Sequence, residues 1–266
     1  MDQTTAITGT DRRRVIERLS AFVAQSVDAA RAVEKPFFHL EFDRVFPDDI
    51  YAQILALKPE VTDYRPMHGR SKSTDATPTR VKIDLFPEYI RNLPPEKRAL
   101  WDVVGRALCS TPVKQAFTRR LAPGLSKRFG ADFTEVGMYP IPILTRDIPG
   151  YMIPPHTDTK WKGITVQLYL PKDDANTDIG TIFHEKLPDG SMPKKAQMRF
   201  APNSGYAFAV GTDTWHSADP VHVGVKSRDS ILLTYFVDQG ALKVLRNRGK
   251  RVGNFVLNEL RQYIPI

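Results

Sequence analysis

The apolar positions of this chain change period twice along its length. Near the amino terminus Val15, Leu19, Phe22, Ser26 and Ala30 recur at steps of three and four, which predicts a helix beginning at Asp11. Phe37-Phe-His-Leu-Glu-Phe42 then reads as a strand, and Phe46-Pro-Asp-Asp49 as a helix start with acidic residues in its first turn. Ile50, Ile54 and Leu57 give this second helix its buried stripe, and Pro59 stops it. Residues 62–79 are rich in Ser, Thr and Lys and lack an apolar period, which predicts a loop able to act as a lid over a site. Arg80-Val-Lys-Ile-Asp-Leu85 alternates as a half-buried strand should. Two helices are predicted over 95–109 and 111–121, the second broken by Pro123-Gly124.

From Phe133 to Val237 the pattern shifts to short apolar runs divided by Pro, Gly, Asp and Asn. The clearest are Gly163-Ile-Thr-Val-Gln-Leu-Tyr-Leu170, Thr181-Ile-Phe183, Gly205-Tyr-Ala-Phe-Ala-Val210 and Ser230-Ile-Leu-Leu-Thr-Tyr-Phe-Val237. Short strands at this spacing predict a mainly β fold, a sandwich or jelly roll with flanking helices, and not a parallel sheet with crossover helices. Helical spacing returns over 252–263. Neither an internal repeat nor a Pro/Gly/Ser linker divides the chain. The expected organisation is a disordered start over 1–10 and one domain over 11–266. That domain has a helical and strand flank over 11–130, a jelly-roll core over 131–240 and a helical segment over 241–266.

Composition adds little to this except by exclusion. Cys109 is the only cysteine, so a disulfide framework and a thiolate metal cluster are both excluded, and a reducing cytosol fits. The first ten residues lack the basic-then-apolar layout of a secretory signal, and no apolar run approaches the roughly 18 residues of a membrane helix. A cytoplasmic location without membrane partners is the expectation. The net charge of +8 would suit nucleic acid, an anionic membrane or an acidic small molecule. The basic residues are dispersed, however: Arg12-Arg13-Arg14 on a helix, Lys194-Lys195 in a predicted loop, and a cluster from Arg246 to Arg251. Without a continuous basic stripe and interleaved aromatics, nucleic acid is the weaker reading. A small anionic substrate is the better one, beside plain surface charge.

Candidate chemistry sits in the β-rich stretch. His156 and Asp158 are two apart, so on an extended strand both side chains share a face, and Pro154-Pro155 stiffens the approach. His216 follows 60 residues later, after a Gly-bounded strand and a Gly-Thr turn. Two imidazoles and one carboxylate form the ligand set of a non-haem iron(II) site with open positions. His-x-Asp also arises by chance, and a lone histidine is more often a core or surface group. Arg228 opens the last apolar run, where a buried guanidinium needs an anion. A carboxylate-bearing cosubstrate would meet that need, as would an internal ion pair with Asp219 or Asp229. Ser230 points the same way as Arg228 and could add a hydrogen bond.

Pro154-Pro-His156-Thr-Asp158, Tyr169-Leu-Pro, Gly180-Thr181, Asn203-Ser-Gly205, Trp215-His216-Ser217 and Arg228-Asp-Ser230 together resemble the iron(II)/2-oxoglutarate-dependent dioxygenases. The nearest branch is the prolyl-hydroxylase-like oxygenases of bacteria. The resemblance covers about residues 130–240, and the Phe-Pro-Asp-Asp flank matches more loosely. It implies a double-stranded β-helix (jelly-roll, cupin-like) core, with Fe(II) on His156, Asp158 and His216. It also implies 2-oxoglutarate as cosubstrate, held by Arg228 and Ser230, with Tyr139 a further partner or an ordinary core aromatic. O2 would be consumed, succinate and CO2 released, and a C–H bond of a small molecule hydroxylated. Asp158 stands where related halogenases carry a small residue, so chlorination is not implied. Desaturation, cyclisation and epimerisation differ only in substrate placement and stay open. Arg80, Arg146, Lys160, Trp161, Lys162 and His184 are the substrate-side candidates, while His39 reads as structural and His68 and His222 as loop residues. The competing readings are a modifier of protein or nucleic acid from the same superfamily and a non-catalytic cupin-like metal or sugar binder. Oligomeric state does not follow from the sequence.

Overall fold

The computed structural model describes residues 9–67 and 78–238. The expected disordered start therefore falls partly outside the described residues, and Gly9 and Thr10 already belong to a helix. Most of the predicted covering loop (68–77) and the whole helical segment over 241–266 also lie outside them.

Among the described residues six α-helices and twelve strands follow in chain order: α1 Gly9–Ala29, β1 Arg31–Val33, β2 His39–Phe42, α2 Asp48–Ala56, β3 Arg65–Pro66, β4 Arg80–Asp84, α3 Pro87–Ile90, α4 Pro95–Leu108, α5 Thr111–Arg120, α6 Ala122–Phe129, β5 Met138–Asp147, β6 Ile153–His156, β7 Lys162–Tyr169, β8 Ile182–His184, β9 Lys194–Gln197, β10 Gly205–Ala209, β11 His216–Ala218 and β12 Arg228–Val237. The strands form two sheets, one ordered β1-β2-β10-β7-β12-β5-β4-β3 and the other β6-β11-β8-β9. From β5 to β12 the chain passes back and forth between these sheets, and every described pairing is antiparallel. This is a jelly-roll core extended by flanking strands, without a closed barrel.

Strand alternation creates two separate apolar layers. On β7, Ile164, Val166 and Leu168 face the helices, as do Ile231, Leu233 and Tyr235 on β12 and Ala207 and Ala209 on β10. The opposite faces meet the smaller sheet, where Phe37, Tyr169, Phe183, Tyr206 and Phe208 form an inner aromatic core. Thr165 and Gln167 of β7, Thr145 and Asp147 of β5 and Ser230 of β12 share that inner side by alternation, so a buried cavity there is polar along one wall.

Several elements differ from the sequence expectation. Pro123-Gly124 does more than break a helix: the proline occupies the first turn of α6, where its missing N–H would have no partner anyway. Strand β5 passes unnoticed in the sequence because Pro140 and Pro142 interrupt it. The Pro142 carbonyl accepts from Leu85 N just beyond the end of β4, so its ring nitrogen faces a side where the ladder is ending. Lys194-Lys195, expected in a loop, starts β9 at the edge of the smaller sheet, a place where lysine discourages further pairing. Arg65–Pro66, within the predicted loop, pairs with β4. Asn203, with φ at 56°, accepts the Val45 and Phe46 N–H groups on its side-chain oxygen and so fastens the flank to the core.

Candidate functional site

The smaller sheet places two histidines side by side. His216, first residue of β11, is the direct cross-strand neighbour of His156, last residue of β6, and their ring centroids lie 4.3 Å apart. Asp158 comes two residues past the end of β6. One ligand atom from each of His156, Asp158 and His216 lies within 4.8 Å of the others, close enough for one ion to bridge them. Pro154 and Pro155 are tolerated because β6 is an edge strand.

The two imidazoles are held alike. His156 Nδ1 lies 3.0 Å from the Pro154 carbonyl, and His216 Nδ1 lies 3.0 Å from the Thr214 carbonyl. A carbonyl oxygen only accepts, so each Nδ1 carries a proton, and in the neutral ring Nε2 is the atom that bears the lone pair. That arrangement fixes tautomer and ring orientation, as metal-binding histidines require.

The carboxylate is equally constrained. Lys162 Nζ donates to Asp158 Oδ1 at 2.5 Å and Thr165 Oγ1 to Oδ2 at 2.6 Å. Burial alone would raise the Asp158 pKa, but the Lys162 charge, with His216 and both hydrogen bonds, holds it at about 2. Burial pulls His216 down to about 4 against the attraction of Asp158, so at neutral pH the site holds a carboxylate and a neutral His216. Unfolded, His216 takes up a proton near its ordinary value of about 6.5; folded, it resists until about 4. The metal-free protein should lose roughly 3 kcal/mol as pH falls through that window. The Asp158 contribution stays intact until below its own ordinary value of 3.8. Urea midpoints recorded from pH 7 to 4 would show the slope, and an equal slope in His216→Asn would refute its assignment to His216.

A narrow cavity of about 50 Å³ runs from this triad into the jelly roll and is lined also by Arg80, Tyr151, Gln167, Thr181, Tyr206 and Arg228. Arg228 is 2 % exposed. The anion it meets is neither Asp219 nor Asp229 but Asp147, which accepts from its Nε at 3.1 Å and Nη2 at 3.0 Å. Its Nη1 donates to the Ile179 carbonyl at 2.6 Å. Arg80 grips the same carboxylate, through Nε to Oδ1 at 2.5 Å and Nη2 to Oδ2 at 2.8 Å. Register explains the convergence, since Asp147 is the direct neighbour of Arg228 on β12 and of Arg80 on β4. Both guanidiniums lie over the Tyr151 ring, at 5.4 and 4.2 Å from its centroid. Burial would raise the Asp147 pKa, yet the two arginines hold it below the ordinary value. Among the described residues two cations share one anion, so the buried end of the cavity carries a net positive charge.

Between triad and arginines runs a belt of hydrogen bonds. Thr145 Oγ1 donates to the Ser230 carbonyl at 3.1 Å, so the 2.9 Å contact between the two hydroxyls must be donated by Ser230. Ser230 Oγ in turn accepts from Gln167 Nε2 at 3.0 Å, which turns Gln167 Oε1 towards Tyr206 Oη, a donor at 2.8 Å. Thr181 Oγ1 lies 3.0 Å from Tyr206 Oη and 3.1 Å from Tyr169 Oη.

Of the remaining sequence candidates, some reach the cavity and some do not. Arg80 and Lys162 line it. Ser230 is spent within the belt and is absent from the cavity wall. Tyr139 shares the inner parity of β5 but sits at the opposite end from Asp147, stacked on Phe236 at 5.8 Å. Arg146 projects to the other face, paired with Asp229 at 2.8 Å. His184 alternates with the inner-core Phe183, bonding Ser217 Oγ at 2.7 Å and the Met192 carbonyl at 3.0 Å. Lys160 caps the ring of the half-exposed Trp161 and borders a second groove of about 800 Å³ that also touches Thr157 and Asp158. His39 is buried against Phe37 and Phe183, a structural placement. Sequence reasoning missed Asp147, Thr165 and Gln167. The signal for the last two was present: polar residues at every second position of a strand buried along its whole length.

No family model and no curated protein matches the sequence. Solved structures do resemble the fold. A Pseudomonas putida prolyl-4-hydroxylase is 14% identical with a TM-score of 0.45, covering 82% of this chain and 98% of its own. A 2OG-Fe(II) oxygenase family oxidoreductase from Burkholderia pseudomallei is 14% identical with a TM-score of 0.47, covering 85% and 92%. A Trichoplax adhaerens prolyl hydroxylase in complex with a hypoxia inducible factor peptide is 12% identical with a TM-score of 0.45, covering 86% and 94%. Likeness this distant says nothing of chemistry, which has to come from the side chains. Among the described residues no helix is long and apolar enough to cross a membrane.

Proposed function

We propose that this chain is an Fe(II)- and 2-oxoglutarate-dependent oxygenase that hydroxylates an unactivated C–H bond of a small, hydrogen-bonding or anionic molecule. One observation carries the reading. A carboxylate and two histidines whose Nδ1 atoms face backbone carbonyls stand at one end of a polar cavity, and a pair of arginines sharing one aspartate stands at the other. A divalent ion fits the donor set, and the arginine pair at the other end suits a carboxylate of an acidic cosubstrate.

His156, Asp158 and His216 would hold the ion and leave positions open. The bound ion with 2-oxoglutarate and O2 would supply oxidising power, releasing succinate and CO2. The residues of the chain provide placement. Arg228, steadied by Asp147, would take the far carboxylate of the cosubstrate, with Arg80 adding charge from β4. Gln167, fixed by Tyr206 and Ser230, keeps its second amide hydrogen for a ligand in the cavity. Lys162 and Thr165 hold Asp158 ionised and in one orientation. The inner aromatic core excludes water from the sheet side. The groove lined by Thr157, Asp158 and Lys160 is the place we assign to substrate.

The test is anaerobic loading with Fe(II) and 2-oxoglutarate, followed by air and a panel of small metabolites. Succinate formation stimulated by one class of compound is the expected outcome; no succinate above background, with or without candidates, would end the proposal. Arg228→Lys should raise the KM for 2-oxoglutarate by about tenfold or more with kcat changed far less, because lysine loses the bidentate fork. A cupin-like metal binder would show no 2-oxoglutarate dependence to lose.

A further inference from the structure

We propose that Arg128 of α6 is a positioning residue for the metal centre, tying together the two turns that carry Asp158 and His216. The inference rests on the reading of His156, Asp158 and His216 as metal ligands. Its guanidinium donates to three backbone carbonyls: Val210 at 2.7 Å and Lys162 through Nη1, and Lys160 at 2.5 Å through Nη2. Lys160 and Lys162 frame the turn that follows Asp158, and Lys162 also gives its ammonium to that carboxylate. Val210 lies immediately past β10, and from it the chain enters the turn Gly211–Thr214. Thr214 Oγ1 closes that turn, accepting from Gly211 N at 3.1 Å and donating to Gly211 O at 3.0 Å. The Thr214 carbonyl then orients His216 through Nδ1. One side chain thus spans both ligand-bearing segments, which are far apart in sequence.

The choice of residue is informative. A planar fork with several N–H groups can serve three carbonyls on two segments at once, whereas an ammonium on a flexible stem cannot hold that geometry. The hydrogen bonds Arg128 makes go to carbonyl oxygens and not to a carboxylate, and burial pulls its pKa down. Such an arrangement is unfavourable for a cation whose only task is solubility. Close packing brings the helix near enough: a Cβ at Gly124 would stand 2.8 Å from the Ala209 Cβ, so glycine is what lets α6 approach β10. Among the described residues the neighbouring Lys127 makes only an exposed ion pair, to Asp213 at 2.6 Å, and supplies a control on the same helix.

The experiment titrates the metal-free full chain with Co(II), whose visible spectrum reports coordination, at a temperature where circular dichroism shows each variant folded. Arg128→Gln should weaken Co(II) binding about 10- to 100-fold and alter the spectrum, as removal of outer supports does at metal sites. Arg128→Lys should fall between. Lys127→Gln should stay within about twofold of the parent. If Arg128→Gln does not fold, Arg128→Lys decides by the same measure. Folded Arg128 variants that bind Co(II) like the parent, with its spectrum, would overturn the inference while leaving the metal reading standing. A parent chain that takes up no Co(II) ends both.

Discussion

Replacing Asp147 by asparagine should destabilise the chain by about 3–5 kcal/mol, the penalty for removing one member of a buried ion group and leaving its partners uncompensated. Asp147 is fully buried, and each of its oxygens accepts from a guanidinium. Without its charge Arg80 and Arg228 face each other over Tyr151 with no carboxylate between them. Urea unfolding measures the loss directly, and a change below about 1 kcal/mol would mean that the arginines are compensated elsewhere. A second arm links this to function. Added 2-oxoglutarate, or succinate, should recover part of the lost stability in Asp147→Asn, because a ligand that binds only the folded state stabilises it by mass action. Equal shifts in parent and variant would argue against a carboxylate site at that end of the cavity.

Asp158→Ala should lower succinate formation by at least about a thousandfold, since loss of one of three ligands removes the ion and with it the chemistry. The same change leaves the Lys162 ammonium beside two imidazoles without its carboxylate. Calorimetric titration with Fe(II) or Co(II) should show no site in the variant. Retention of metal binding within about tenfold of the parent would remove Asp158 from the ligand set. Asparagine would be the milder change, because it keeps an acceptor for Lys162 and Thr165.

What could be read from the sequence follows the physics of each element. Strands β7, β10 and β12 announced themselves through long apolar runs, and α4 and α5 through clean helical spacing. Strand β5 did not, because its prolines sit where a neighbouring ladder ends, and local pattern cannot show where a partner strand stops. The pairing of His156 with His216 was suggested by residue types in order, yet the direct cross-strand register that makes it possible is a property of the sheet. For Arg228 the sequence offers nearby partners, Asp219 and Asp229. The carboxylate that meets it comes from β5, some 80 residues earlier, because antiparallel pairing sets neighbours without regard to separation. Tyr139 shows the reverse case. Its parity was suitable, but its position along the strand placed it at the wrong end.

The proton order in the belt from Thr145 to Tyr206 means that no member can be exchanged alone. The run is anchored at the Ser230 backbone, which can only accept. Tyr206→Phe would leave the Gln167 oxygen without that donor, while Ser230 Oγ, its own proton given to Thr145, still holds the amide nitrogen in place. Redesign of this cavity for a different acid therefore has to begin at β5 and β12, on the side away from the ligand.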